Sequence, residues 1–320
     1  MASVRSTFIL GHAYSRGVPF YFPVLFLLKT PLASLAVFLL AIPVAAAARK
    51  RLLPAATIIP RGRQLHWRAS WVFLVVFTAM CLLSPLNISI RHFSIPIALM
   101  ILLLAPLPRA LALLAESGWR MARPAGWLLA ALVVVSLATV IWVYPYYIPF
   151  LNSLRMRREG FTLVNDSNLD WCQSFPEVRR FAEERNLRSV LLDEYGFTEP
   201  TVYIPQARLW SCQEPVPADA GQWAVVSAGM ILDGHNCSWL LRYPHESLAG
   251  GSMYAFRLPE PVPAAGSPGG PPRPEEFRNW AGMPGSTDFR AILLRCVRDP
   301  RELKPVMERM RREWETQRKK

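Results

Sequence analysis

The sequence predicts an α-helical membrane bundle of about four transmembrane helices, followed by a small extracytoplasmic α/β domain. Three observations carry this reading. Of the 320 residues, 52% are apolar, and within the first 150 they gather into runs longer than a soluble core uses. Basic residues concentrate in alternate loops between those runs. After an aromatic and proline belt, Val143-Tyr144-Pro145-Tyr146-Tyr147-Ile148-Pro149-Phe150, the chain changes to the mixed composition of a folded α/β unit.

Residues 1–17 carry Arg5, His12, Arg16 and two glycines without an apolar h-region, so no cleavable signal peptide is expected. Val18 to Ala48 is the first apolar run, interrupted by Lys29-Thr30-Pro31. At ~1.5 Å per residue it would reach roughly 46 Å, too long for one upright span. It therefore reads as an interfacial helix to Leu28, a break at Lys29, and a span over 32–48. Further spans are expected over 71–86, 93–114 and 125–143.

The loop after the first span holds Arg49, Lys50, Arg51, Arg61, Arg63 and Arg68 with no acid. The loop after the third holds Arg109, Arg120 and Arg123 against Glu116. Positive loops stay cytoplasmic, which places the N-terminus, the Asn87–His92 loop and everything after Val143 on the outer side. The net charge of +13 is then a topology signal. Residues 151–260 hold ten Arg against fourteen Asp and Glu, which argues against nucleic-acid binding.

Residues 151–260 read as the α/β domain. Ser174-Phe175-Pro176-Glu177 has the capping-box pattern and opens a helix through Arg185. Ser189–Asp193, Trp223–Ala228 and Met253–Leu258 read as strands; Tyr195-Gly196, Asp233-Gly234 and Gly250-Gly251 read as turns. Residues 261–320 form a Pro/Gly-rich linker and a charged helical tail from about Arg301. In an oxidising compartment Cys212 and Cys237 would be the pair to bridge, and buried free thiols are the alternative. No spacing of His and Cys suggests a metal site.

Three groups of residues could carry chemistry. Lys29 sits in apolar sequence at a membrane boundary, where it either snorkels or meets an anion such as a lipid phosphate. Arg91-His92 lies in a short outer loop; Arg can fork onto a phosphate and His can add a donor, whereas a headgroup anchor is the plainer role. Asp166, Asn168 and Asp170 form a polar cluster just past the belt. Its carboxylates could accept a proton from an acceptor hydroxyl, and the same residues are common turn formers.

Together these segments resemble a family. Tyr21-Phe22-Pro23-Val24-Leu25-Phe26-Leu27-Leu28-Lys29-Thr30-Pro31-Leu32 is similar to the "YYFPVALLLKTPL" run of lipid-carrier-dependent type C membrane glycosyltransferases, relatives of the protein O-mannosyltransferases and aminoarabinose transferases. Arg91-His92-Phe93-Ser94-Ile95-Pro96 resembles their "RHxLPxxP" segment. Asp166-Ser167-Asn168-Leu169-Asp170-Trp171-Cys172-Gln173 resembles "DSNLDWGQD", with Cys172 in place of glycine, and Met253–Leu258 resembles the closing strand.

The resemblance implies a transferase in the cell (inner) membrane with its C-terminal domain extracytoplasmic. It implies a polyprenyl-phosphate-linked sugar as donor, no certain cofactor, and a membrane lipid carrier as partner. It implies that Lys29, Arg91 and His92 hold the carrier phosphate and that Asp166, Asn168 and Asp170 shape the outer face of the site, while the family's catalytic acid carries over to no position here. It covers the C-terminal half of the family. The acidic first outer loop has no counterpart, because residues 1–115 contain no Asp or Glu. A missing N-terminal half or a partner subunit is therefore expected. The alternatives are a non-catalytic membrane-anchored module that binds a protein or glycan, and an independent enzyme using Asp166 or Asp170 as base.

Overall fold

The computed structural model describes residues 7–52, 58–59, 61–194, 200–212, 214–217, 221–232 and 237–273. The expected turns at Tyr195-Gly196 and Asp233-Gly234, Cys296 and the charged tail from Arg301 lie outside the described residues. The chain divides into two compact units, Met1–Leu163 and Val164–Lys320. Residues 151–163 belong to the first unit, to which Asn152 and Leu163 are hydrogen-bonded through Leu28 and Leu10.

The first unit opens on a hairpin, β1 (Thr7–Ile9) and β2 (His12–Tyr14), paired Thr7 to Tyr14 and Ile9 to His12. Its two-residue turn is Leu10-Gly11, both at positive φ (53° and 84°), as the twist of a tight hairpin requires. The Leu10 N–H donates to the Leu163 carbonyl at 2.6 Å. The sequence reading held no strands here, since Leu-Gly lacks the Asn or Asp that usually marks such a turn.

Helix α1 (Tyr21–Lys29) buries Tyr21, Phe22, Leu25 and Leu28, one face at helical spacing. It stops where expected. Thr30 is extended (ψ 133°), the conformation forced on a residue that precedes proline. Helix α2 (Leu32–Leu52) follows and ends in Arg49-Lys50-Arg51, charges that suit a helix C-terminus. Helix α3 spans Gln64–Leu83.

The third run, expected as one span over 93–114, is divided. A 3₁₀ turn over Ile90–Phe93 leads into α4 (Ser94–Leu102); turns follow, and α5 covers Leu107–Glu116. Pro106 and Pro108 account for the interruption, since neither ring offers an N–H to the preceding turn. Helix α6 runs over Ala122–Val143. By length and composition, four segments can cross a membrane: Leu32–Leu52, Gln64–Leu83, Ile90–Glu116 and Ala122–Val143.

Helices α2, α5 and α6 pack on one another around Val37, Val44, Ala48, Leu111, Leu114 and Ala125. Small residues let these backbones approach. Ser34 Oγ donates to Ser136 Oγ across α2 and α6 at 3.0 Å. The outward faces are also apolar: Leu39 is 67% exposed, Ile141 76% and Trp142 83%. A water-facing helix would put polar residues there.

The second unit is a five-stranded mixed sheet. The strands β3 (Val190–Asp193), β4 (Ala207–Leu209), β5 (Trp223–Ser227), β6 (His245–Leu248) and β7 (Met253–Arg257) lie in the order β4-β3-β5-β7-β6. Strand β3 is parallel to β4 and β5, and β7 is antiparallel to β5 and β6. Helix α7 (Phe175–Glu184) lays Phe175, Val178, Phe181 and Ala182 on Val190, Leu192, Val225 and Ala255. A single turn, α8 (Ala228–Ile231), follows β5. The Cys212–Cys237 disulfide is formed. Strands β4 and β6 are additions to the sequence reading.

Candidate functional site

The candidate residues fall in both units. In the first, Lys29 closes α1, and Arg91 and His92 lie on the 90–93 turn that packs against α1. A stacked pair, Phe22 on Phe93 at 5.4 Å, holds the two elements together. Both Arg91 and His92 are exposed. The structure thus brings two of the three candidate groups, both cationic, onto neighbouring elements, although 61 residues of sequence separate Lys29 from Ile90.

The end of α1 is fixed by the segment that follows the aromatic belt. Lys29 Nζ donates to the Ile148 carbonyl at 2.6 Å and lies 3.5 Å from that of Phe150. Asn152 is buried and supplies a cap from outside the helix. Its Nδ2 donates to the carbonyls of Leu27 and Thr30, each at 2.6 Å, and its backbone N–H to that of Leu28 at 2.8 Å. Helix C-termini leave carbonyls without intrahelical partners, and Asn152 satisfies three around this end. The Lys29 side chain is half-buried, and burial around its ammonium lowers its pKa to about 7. The sequence analysis missed Asn152; a lone Asn after the belt carries no local signal of a contact more than 120 residues back.

In the second unit the Asp166–Asp170 segment winds as a 3₁₀ turn over Asp166–Asn168. Asp166 is half-exposed, has φ +61°, and accepts from the Ser167 N–H at 2.6 Å. Asn168 is buried and donates to the Asn165 carbonyl at 3.0 Å. Asp170 is 1% exposed and enters a cluster of hydroxyls. Ser252 Oγ donates to Asp170 Oδ1 at 3.0 Å and accepts from Ser174 Oγ at 2.7 Å and Gln173 Nε2 at 2.8 Å. Ser174 is the N-cap residue of α7, but its hydroxyl goes to Ser252 and makes no capping bond.

Burial pushes the Asp170 carboxyl above the usual carboxylate range, against hydrogen bonds that favour the charged form. Asp170 Oδ2 and Ser227 Oγ are both buried, and neither makes a hydrogen bond of good geometry within the described residues. Ser227 lies close enough to act on the carboxyl. The Ser227 hydroxyl can donate to the carboxyl, an interaction that favours its charged form.

Two further features were not read from sequence. Glu194 is fully buried, and its Oε2 accepts from the Cys172 thiol at 3.3 Å. Cys172 has φ +62°, a conformation that favours glycine. Asp193 lies with Cys212 and Cys237 in a buried group whose ligand-type atoms are within 4.8 Å of one another. The disulfide engages both sulfurs there, and Asp193 Oδ2 accepts from the Cys212 N–H at 2.9 Å.

No family model, no curated protein and no solved structure matches this chain.

Proposed function

We propose that the chain is part of an integral membrane glycosyltransferase that draws on a polyprenyl-phosphate-linked sugar at the extracytoplasmic face. Lys29, Arg91 and His92 would hold the carrier phosphate. The observation that carries this reading is the packing of α1, the helix that ends in Lys29, on the 90–93 turn that carries Arg91 and His92. Two cationic side chains and an imidazole suit the carrier's phosphate, a diester in the sugar donor and a monoester once the sugar has left.

Three facts support it. Segments similar to the family's lysine, Arg-His and Asp-Ser-Asn-Leu-Asp runs occur in the family's order. At Cys172, where the resembled segment has glycine, the backbone lies in the region that favours glycine. The disulfide is in keeping with an oxidising, extracytoplasmic location for the second unit.

The test is binding of polyprenyl phosphate to the purified full chain. Arg91→Ala should weaken it by about 1.5–3 kcal/mol, the loss of one charge-assisted contact. Unchanged affinity would remove the reading.

A second reading is favoured by the burial of Asp170, which turns into its own fold. In that reading the chain is a non-catalytic membrane-anchored module whose second unit binds a protein or glycan. Tight binding of such a partner without lipid would favour it.

A further inference from the structure

We infer that the first unit carries a second lipid site, one for an anionic glycerophospholipid of the surrounding bilayer, in a cleft between α2, α3 and the break separating α4 from α5. The cleft encloses about 830 Å³, within the usual range of ligand sites (roughly 300–1,000 Å³). Its walls include Phe38, Ala45, Leu74 and Leu107, and all but three of its lining residues are apolar. Those three, Arg49, Gln64 and Arg68, belong to the end of α2 and the start of α3.

The lining thus has the polarity of a lipid, apolar along its length and cationic at its head. Among the described residues neither Arg49 nor Arg68 has a hydrogen-bond or ion-pair partner, and both side chains are exposed. Residues 1–115 offer no carboxylate to neutralise them. Trp67 and Trp71 line the same cleft, and indole rings favour the level of the headgroups. Ile42 and Trp71 are 66% and 47% exposed, so the wall meets the surroundings of the bundle rather than a sealed core.

The interruption of the third span fits this arrangement. Leu103, Leu104 and Pro106 line the cleft at the point where the helix is broken. Within a bilayer, irregular backbone is tolerated where it lines a cavity or is covered by protein. Charge complementarity selects the occupant: basic pockets between spans at the positive-inside face take anionic headgroups, and the bilayer supplies the acyl chain. This site uses none of Lys29, Arg91 or His92, so it stands apart from the proposed carrier site.

Native mass spectrometry of the delipidated full chain in detergent tests it, with phosphatidylglycerol, phosphatidylcholine or inorganic phosphate added. Retention of phosphatidylglycerol should exceed that of phosphatidylcholine at least tenfold. Arg49→Gln with Arg68→Gln should abolish the preference. Lys50→Gln with Arg51→Gln removes the same charge beside the cleft and should leave retention unchanged. Ala45→Trp, which fills the cleft with both arginines intact, should also lose the lipid. Equal loss in the two charge variants, retention in Ala45→Trp, or displacement by inorganic phosphate alone would overturn the inference. So would a dimer mass or a co-purified peptide in place of lipid adducts. Arg91→Ala should leave phosphatidylglycerol retention intact, which keeps this test separate from the carrier reading.

Discussion

Ser252→Ala isolates a buried hydroxyl that joins three side chains of the second unit. Ser252 Oγ is fully buried and joins three partners: it donates to Asp170 Oδ1 and accepts from Ser174 Oγ and Gln173 Nε2. The substitution removes one oxygen and leaves almost no cavity, so the cost is in hydrogen bonds. Three are lost at about 1 kcal/mol each, giving a destabilisation of about 3 kcal/mol. Gln173 Nε2 keeps its contact with the Leu169 carbonyl at 3.2 Å. Ser174 and Asp170 Oδ1 lose their shortest side-chain partner inside a site closed to water.

For a unit of this size about 3 kcal/mol corresponds to roughly 6–12 °C in melting temperature. The assay is a thermal melt of the full chain in detergent. Hydrogen exchange at Trp223–Ser227 and Met253–Arg257 assigns the change to this sheet. In an Asp170→Asn background the same substitution should cost less, because the carboxyl acceptor it serves is gone. A destabilisation under about 1 kcal/mol, or full additivity with Asp170→Asn, would refute the account of a coupled buried network.

Asp170 itself predicts a pH dependence. Its folded pKa is raised above the ordinary 3.8, so between that value and the folded pKa the native state binds more protons than the unfolded chain. Its contribution to stability is fully present below about pH 4 and is lost as pH rises through the folded value; Asp170→Asn should flatten this part of the stability curve, read from urea melts across that range. Asn152→Ala strips two carbonyls at the end of α1 of their donor and frees the Leu154 N–H, for about 3 kcal/mol and faster hydrogen exchange near Lys29. Because the Lys29 pKa lies near 7, its charge is lost as pH rises through that value. Polyprenyl phosphate affinity should fall over the same window, and Lys29→Met should make that fall smaller.

The helices were legible because each rests on local composition. Long apolar runs, the Lys29-Thr30-Pro31 break and the basic ends of alternate loops all act within a few residues of where they are written. The division of the third run at Pro106 and Pro108 was not read, because hydropathy alone carries straight across it. Nor were the hairpin and strands β4 and β6. Each is three or four residues long, and Ala207-Arg208-Leu209 or His245-Glu246-Ser247-Leu248 has too little alternation to signal a strand. Ser174 shows a different limit. Its spacing to Glu177 reads as a capping box, yet a hydroxyl 78 residues away competes for it and wins. The candidate site divides in the same way. The residue types at 29, 91 and 92 were readable; the Asn152 cap and the Ser252 hub arise only from the tertiary fold.

Asp166 and Asp170 lie four residues apart, yet their environments assign them different work. A general base must come within hydrogen-bond reach of the hydroxyl it deprotonates and must be ionised at the working pH. Asp170 is closed to water, raised in pKa and bonded to Ser252. Its most direct effect is on stability. Asp166 is half-exposed, and its Oδ1 already steadies the turn through the Ser167 N–H. Asp166→Asn keeps that acceptor, so it should change stability by less than about 0.5 kcal/mol, as other exposed substitutions do. The two variants therefore separate the readings. Loss of sugar transfer in Asp166→Asn with an unchanged melt would assign Asp166 to the chemistry. Transfer that follows the melt in both variants would leave the cluster as a structural turn and place the base outside these residues.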